Sequence, residues 1–511
     1  MTIIAAIRSA ASSSRNGLAI VHGADRRTWK TFAHDVAATA GALRSAGLRP
    51  GEHVATLALN SPRYLEVLMA VWWAGGVIVP LNTRLAYAEQ RFILEHSDSK
   101  LLVADVHFWD TTARARNDLA CLDRVMVLDD DTRAAMLAHP TIDDQDPPLE
   151  SLAGIFYTGG TTGLPKGVEL THGNFLCAAA DMMRDTSSGP DCVYLHAAPL
   201  FHVGDFGTGL GVTLGAGGHS FIAQFSAREF YQRLREDRVT HLQFGPTILA
   251  MIIDAPERDD RLLSQIKSVS YGTAPITQTL LARLLQAFPN ARVQQFYGMT
   301  EYCGASTLLP PDRHVLDGPN AGKLLSAGRA LPGFEVRITD NALQPCPLGV
   351  TGEIQMRGPG VTRGYWKDPA KTAETLLPGG WLRSGDAGYM DEDGFVYVVD
   401  RLKDMIISGG ENIYCGEVEN ALTGYPGVEA CAVIGVPDAL WGERVHAVVI
   451  PKAGAQLVAS DLDAHCRARI AGYKVPRSYD IRAEPLPLSG VGKVQKNRLR
   501  DEWLAKRGTS Q

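Results

Sequence analysis

Residues 157–168 read YTGGTTGLPKGV, with four glycines, four hydroxyl-bearing residues (Tyr157, Thr158, Thr161, Thr162) and Lys166 in twelve positions. Such a run offers backbone N–H groups, hydroxyls and one cation to an anion, and phosphate is the anion this composition suits. A Walker loop needs a lysine that opens a helix and a hydroxyl directly after it to hold magnesium. Here Pro165 precedes Lys166 and Gly167 follows it, so both requirements fail. The stretch follows the strand-like AGIFY and predicts a phosphate loop of another kind. The competing reading is a glycine-rich surface loop that joins two strands.

Three further segments carry chemistry, each with an ordinary role beside the functional one. In YGMTE (297–301) a tyrosine offers a flat face to a base, a hydroxyl can reach a phosphate and Glu301 can hold Mg²⁺. The same Glu301 could be a solvated carboxylate. In WLRSGDAGYMDEDGFVYVVDRLKDMIISGGEN (381–412), Asp386 suits a ribose diol and Arg401 could join it. Their plain alternatives are a turn aspartate and a surface ion pair. In PLSGVGKVQKNRLR (487–500), Lys493 stands on a glycine-flanked loop, where a solvated lysine is the usual finding.

The elements that must position these residues alternate in type. A helix with Phe32, Val36, Ala40 and Leu43 on one side, capped by Thr31 and ended by Gly47, precedes the strand HVATLAL (53–59). A helix over SPRYLEVLMAVWWA, the strand VIVPL, a helix near 87–96 and the strand KLLVADV follow, with HLQFG and IKSVSYG as later strands. Alternation of this kind predicts a parallel sheet covered by helices. From about residue 330 short strands and turns take over (FEVRITD, TGEIQMRG, GFVYVVD). A last compact unit has a helix near 416–423, the strands EACAVIGV and VHAVVIP, and a helix opened by the capping box Ser460-x-x-Asp463. Leu462, Cys466 and Ile470 share one face of that helix. The expected domains are 1–402 and 403–511, with a hinge near Lys403.

Composition bounds the class. A chain of 511 residues exceeds one simple core, and 45% apolar with 21% charged residues is ordinary for a globular protein. A net charge of −6 gives no footprint for nucleic acid. The longest apolar run, 67–81, falls short of the ~20 residues of a membrane span. Eight scattered cysteines without a CxxC pair argue for a reducing compartment, and the N-terminus has no basic start. A cytoplasmic enzyme is expected.

YTGGTTGLPKGV, YGMTE, SGD, DRLKDMIISGGENI, GYKVP and GKVQKNRLR, in this order, resemble one family: the adenylate-forming enzymes, which include acyl-CoA synthetases, peptide-type adenylation domains and beetle luciferases. The resemblance covers nearly the whole chain. It implies an α/β fold: a large N-terminal AMP-binding domain of αβ layers with a β-barrel-like part, and a small mobile α+β lid domain. It also implies a two-step reaction with ATP, Mg²⁺ and coenzyme A, in which a carboxylate attacks the α-phosphorus, pyrophosphate leaves and a thiol captures the acyl-adenylate.

By the same resemblance, Thr158, Gly159, Gly160, Thr161, Thr162, Gly163 and Lys166 hold the phosphates. Gly272, Thr273, Ala274, Pro275 and Tyr297 flank adenine, with Gly298 and Met299 in the same nucleotide site. Thr300 meets the α-phosphate, Glu301 binds Mg²⁺, Asp386 and Arg401 bind ribose, and Lys493 bridges carboxylate and phosphate. Lys403 is the hinge, and Gly409 and Gly410 line a thiol tunnel. The family's usual serine at position 159 is here Gly159, which removes one possible phosphate contact.

The acid pocket is expected from 199–212, 271–275 and 296–307. His202 holds the family's gate position, and Val203, Gly207, Gly272, Phe296 and Gly304 are the expected lining. GTGLGV (207–212) lacks dinucleotide-fingerprint spacing and reads as helix packing or pocket floor. Peptide-type domains place an aspartate directly after the gate, where this chain has Val203. These segments contain no arginine or lysine to neutralise a second carboxylate. A hydrophobic monocarboxylic acid, aromatic, polycyclic or medium-chain, is the expected substrate. The alternative acceptor is a carrier-protein phosphopantetheine. A luciferase-like oxygenase and a non-catalytic nucleotide module stand behind these, and a homodimer is an open possibility.

Overall fold

The computed structural model of the chain describes residues 2–13, 17–159, 164–274, 276–488 and 494–508. It is a mixed α/β protein with two compact units: 1–335 with 356–382, and 336–355 with 383–511.

Local chemistry sets the elements of the first unit. The helix Pro62–Trp73 has Ser61 as its N-cap, accepting from the Tyr64 N–H, and proline at its first position. Every one of its residues except Arg63 is buried, and Glu66, its one buried charge, is paired with Arg27 and Arg133. Its end is a Schellman turn: Gly75 (φ 79°) donates to the Trp72 carbonyl and Gly76 to the Val71 carbonyl. This turn divides the long apolar run and launches the strand Val77–Pro80. The helix Trp29–Ser45 buries Phe32, Val36, Ala40 and Leu43 as expected. Its cap is Thr28, not Thr31; Trp29 is fully buried, so the first turn starts three residues earlier than the cap pattern suggested.

Two sheets carry this unit. The seven-stranded sheet runs parallel through Arg124–Leu128, Leu101–Asp105, His53–Leu57, Val77–Pro80 and Leu152–Thr158, then ends in the antiparallel strands Lys166–Thr171 and Gly364–Tyr365. In the nine-stranded sheet, His241–Phe244, Ser268–Tyr271 and Arg292–Tyr297 lie side by side and parallel.

The second unit holds the hairpin of Trp381–Met390, from Arg383 onward, with Val396–Arg401. It also holds the long antiparallel pair Val428–Asp438 and Gly442–Pro451, covered by the helix Cys415–Thr423. The helix expected to open with a capping box is Ala459–Arg467; Val458 is its N-cap and no side chain caps it. The Ser460 hydroxyl donates instead to Asp461. Ile470 lies beyond the helix but packs with Leu462 and Cys466 in the same core.

Burial gives the first unit a pH signature. His172, His241 and His314 are each held down to about 4, with loss of hydration as the largest cause. Each is neutral in the fold, whereas in the unfolded chain it binds a proton below its ordinary value of 6.5. Stability is therefore fully present above 6.5 and falls as pH drops toward 4. The thermal midpoint should be lower at about pH 5 than at about pH 7.5, with uptake of roughly two to three protons on unfolding. Calorimetry in buffers of different ionisation enthalpy reads that uptake.

Candidate active site

The phosphate-loop candidates sit between two antiparallel strands. Thr158 ends Leu152–Thr158 and lies opposite Lys166, which begins Lys166–Thr171. A lysine that opens a strand is the geometric opposite of a Walker lysine. Gly167 is required by packing, since a β-carbon there would stand 2.7 Å from Cγ2 of Ile155. Tyr157 anchors the near arm through a 2.8 Å hydrogen bond between its hydroxyl and Nδ1 of His96, and burial pushes its phenol pKa up. Gly160, Thr161, Thr162 and Gly163 lie outside the described residues.

Gly159 is exposed, its φ is not in the left-handed region, and among the described residues nothing stands within 4 Å of an added β-carbon. A side chain therefore fits there. Gly159→Ser should lower the KM for ATP by roughly two- to tenfold, the effect of one net hydrogen bond of ~0.5–1.5 kcal/mol. Pyrophosphate exchange at varied ATP measures it.

The nucleotide and acid candidates gather where parallel strands end, the usual ligand crevice of such sheets. His241–Phe244, Ser268–Tyr271 and Arg292–Tyr297 run out into Gly245, Gly272–Ala274 and Gly298–Glu301. These exits touch. A β-carbon on Gly272 would stand 2.5 Å from the Phe296 carbonyl oxygen, and one on Gly298 would stand 1.9 Å from that of Gly304. A β-carbon on Gly304 (φ 114°) would meet the Val203 carbonyl at 4.0 Å, and one on Gly207 the Cys303 carbonyl at 3.8 Å. Thr273 adopts a left-handed backbone (φ 67°), a strain of about 1–3 kcal/mol for a β-branched residue. Pro275 lies outside the described residues.

Tyr271 fixes the second of these exits. The Nδ1–H of neutral His314 donates to the Pro310 carbonyl, and its Nε2 accepts from the Tyr271 hydroxyl at 3.0 Å.

His202 is the N-cap of the helix Val203–Leu214 and is half-buried. Its Nδ1 accepts from the Gly204 N–H at 3.1 Å, which leaves the ring proton on Nε2. Val203 is buried behind it. The glycines of this helix divide by role. A β-carbon on Gly209 would enter the His196 ring at 2.6 Å and one on Gly211 would meet Met182 at 2.7 Å, whereas Gly207 has only ordinary contacts. Asp205 points into the interior, where it accepts from the Tyr194 hydroxyl at 2.8 Å and from His196 Nδ1 at 2.6 Å.

Thr300 and Glu301 lie on the 3₁₀ turn Thr300–Tyr302, with Met299 at its N-cap. The Glu301 carboxylate is buried and accepts from the Tyr365 hydroxyl at 2.8 Å. One buried carboxylate next to Thr300, the candidate for the α-phosphate, fits Mg²⁺, which takes one or two carboxylates and completes its shell with phosphates and water. Among the described residues, no group of three His, Cys, Asp or Glu side chains could hold a metal unaided. Glu301 would therefore hold the ion together with the nucleotide, and the ion would supply charge neutralisation at the phosphates.

The second unit carries the ribose candidates. Asp386 and Arg401 are cross-strand partners, with Arg401 Nε 2.7 Å from Asp386 Oδ1. Lys403 is exposed on the turn Leu402–Asp404. Gly409 and Gly410 form a two-residue hairpin turn with φ of 61° and 87°, a pair that favours glycine. Lys493 lies outside the described residues.

Sequence reasoning passed over Tyr365, Thr362, Thr208 and Gln243. Gln243 donates to the Gly204 carbonyl at 3.1 Å and accepts from the Thr208 hydroxyl. No local pattern marks Tyr365, Thr362 or Gln243, because they meet partners far along the chain.

Comparison with known proteins places the chain in a family. Residues 7–366 match the family model of the AMP-binding enzymes, and 417–493 match the AMP-binding enzyme C-terminal domain. Feruloyl-CoA synthase of Amycolatopsis sp is 41% identical over 500 residues, 96% of each chain. The fatty acid–[acyl-carrier-protein] ligase ScoC of Streptomyces coeruleorubidus is 34% identical over 91% of this chain and 89% of its own. Among solved structures, o-succinylbenzoate CoA synthetase of Bacillus subtilis, in complex with its acyl-adenylate intermediate, superposes with a TM-score of 0.86. It is 28% identical, with 97% of this chain and 98% of that one covered. The chain belongs to the adenylate-forming AMP-binding enzyme family.

Proposed function

We propose that this chain is an ATP-dependent acyl-CoA synthetase that activates a hydrophobic carboxylic acid, with an aryl acid of the feruloyl type as its preferred class. It is an AMP-forming acid–thiol ligase that uses ATP, Mg²⁺ and CoA. The observation that supports the reading is the register that sets Thr158, at the end of one strand, opposite Lys166, which opens the next. A phosphate loop between two such strands cradles phosphates without a helix N-terminus and suits departure of pyrophosphate.

The acid class follows from the wall of the crevice. Val203, Gly207, Gly272, Phe296 and Gly304 bring backbone and apolar surface, and the carboxylate of Asp205 is engaged by Tyr194 and His196. That aspartate is thus committed to the interior and not presented to a substrate ammonium. The feruloyl-CoA synthase relative supports an aromatic acid. In the reaction, a carboxylate oxygen attacks the α-phosphorus and the pyrophosphate oxygen leaves. Thr158, Lys166 and Thr300 hold phosphate oxygens, Glu301 holds the metal, and Asp386 and Arg401 hold the ribose. Lys493 neutralises the two anions as they meet, and Lys403 is the pivot that withdraws the lid domain for thioester formation, with pantetheine passing Gly409 and Gly410.

The ScoC relative supports the second reading, a carrier-protein acceptor. One panel decides between them and tests the acid class: aryl, medium-chain and short polar acids with ATP and Mg²⁺, with and without CoA. Highest kcat/KM for an aryl or other hydrophobic acid, with CoA thioester formed, is the expected result. A preference for acetate or malonate refutes the acid class, and pyrophosphate exchange without thioester refutes the acceptor.

Among the described residues no helix is long and apolar enough to cross a membrane. Eight cysteines without disulfides suit a reducing cytoplasm. A homodimer completes the proposal, and light scattering reads it.

A further inference from the structure

Residues 362–366 tie the two phosphate-facing parts of the first unit together. The Thr362 N–H donates to the Glu301 carbonyl at 2.8 Å, and the Thr362 hydroxyl donates to the Glu169 carbonyl at 2.5 Å. Gly364 and Tyr365 then pair antiparallel with Glu169 and Val168, and the Trp366 N–H reaches the Gly167 carbonyl at 2.8 Å. This segment is therefore laced along the strand that Lys166 opens. From it the Tyr365 side chain reaches the other way, its hydroxyl 2.8 Å from Glu301 Oε1. The Tyr365 N–H donates to the Thr372 hydroxyl at 2.9 Å. The Trp366 indole N–H is fixed in turn on the His96 carbonyl at 2.9 Å.

We propose that Tyr365 is a positioning residue for the magnesium-binding carboxylate, and that 362–366 is the strap that couples Glu301 to the lysine arm of the phosphate loop. The inference rests on the reading of Glu301 as the metal residue. A phenol at neutral pH is a donor, so its bond favours the ionised carboxylate and fixes the plane in which that carboxylate faces a cation. Because the strap is hydrogen-bonded to both partners, a shift of one is transmitted to the other through only a few bonds. The metal and the phosphates that share it then meet groups set in advance, which is the condition for electrostatic catalysis without reorganisation. A hydrogen bond to a carboxylate is stronger than a neutral one, which suits it to this role.

The test uses the whole chain and reads binding. The dissociation constant of a non-hydrolysable ATP analogue is measured calorimetrically with Mg²⁺ and with EDTA, for wild type, Tyr365→Phe and Glu301→Gln, beside the thermal midpoint without nucleotide. In Tyr365→Phe the tightening produced by Mg²⁺ should shrink by about tenfold, while affinity in EDTA stays within about twofold of wild type. In Glu301→Gln the tightening should be lost. If Glu301→Gln loses it and Tyr365→Phe keeps it, the positioning role is wrong. If both keep it, the assignment of Glu301 is wrong. Equal weakening of Tyr365→Phe in Mg²⁺ and EDTA, with a lowered midpoint, marks a structural residue and also overturns the proposal. Should Tyr365→Phe not fold, Thr362→Val removes the hydroxyl bond that fastens the strap to the Glu169 carbonyl. It should reduce the Mg²⁺ effect by about two- to threefold, and an unchanged effect there counts against the strap.

Discussion

Lys493→Ala is expected to slow acyl-adenylate formation by about 10²–10³-fold, while thioester formation from a supplied acyl-adenylate proceeds near the wild-type rate. The reason lies in the charges. A carboxylate and an α-phosphate are both anions, and the pentacoordinate transition state spreads further negative charge over oxygens. A preorganised cation in a water-poor site is worth ~3–4 kcal/mol at that point. In the second half-reaction a thiol attacks a carbonyl and AMP leaves, and the two anions no longer need to be brought together. Single-turnover assays of each half-reaction separate the outcomes. Equal loss in both would refute the assignment of Lys493 to one step.

Gly298→Ala is the second large effect. Its β-carbon would stand 1.9 Å from the Gly304 carbonyl oxygen and 2.9 Å from the Ala305 Cα. Both obstacles are backbone, and the backbone is fastened: Gly304 donates to the Met299 carbonyl, Cys303 to that of Thr300 and Ser306 to that of Tyr297. The methyl can be accepted only if this turn opens, and the turn carries Thr300 and Glu301. A stability loss of about 1–3 kcal/mol should accompany a fall in adenylation of at least about 10²-fold, because ~1 Å of displacement is costly to a positioned reaction. Gly159→Ala is the matched control: among the described residues nothing lies within 4 Å of its added carbon, so its stability should stay within about 0.5 kcal/mol of wild type. Thermal unfolding and pyrophosphate exchange on the same preparations check both.

The contrast between these two glycines shows what was legible in the sequence. Glycine itself was visible at both, but whether backbone crowds it depends on a turn that returns the chain upon itself. Periodicity placed Pro62–Trp73 and Tyr87–His96 well, because their burial is written in nearest neighbours along the helix. Caps were less secure. Thr28 and Thr31 both have cap-type side chains, and burial of Trp29, not the local pattern, decides between them.

The failure of the Walker rule at Pro165 and Gly167 was readable, and the register of Thr158 with Lys166 supplies its cause. Partners remote in sequence were not readable. Tyr365 meets Glu301 across 64 residues. The turn of Asp205 toward Tyr194 and His196 depends on how the helix Val203–Leu214 lies against a strand. In each case the side chain's type was plain and its direction was set by packing.

The central claim is that attack occurs at the α-phosphorus of ATP, and oxygen transfer tests it most directly. The enzyme is turned over with an aryl acid labelled with ¹⁸O in its carboxyl group, together with ATP, Mg²⁺ and CoA, and the products are read by mass spectrometry. The carboxylate oxygen that attacks the α-phosphorus stays on it when the thiol displaces AMP, so the AMP should carry one labelled oxygen and the pyrophosphate none. Formation of ADP with label in inorganic phosphate would place the attack at the γ-phosphorus and contradict the account.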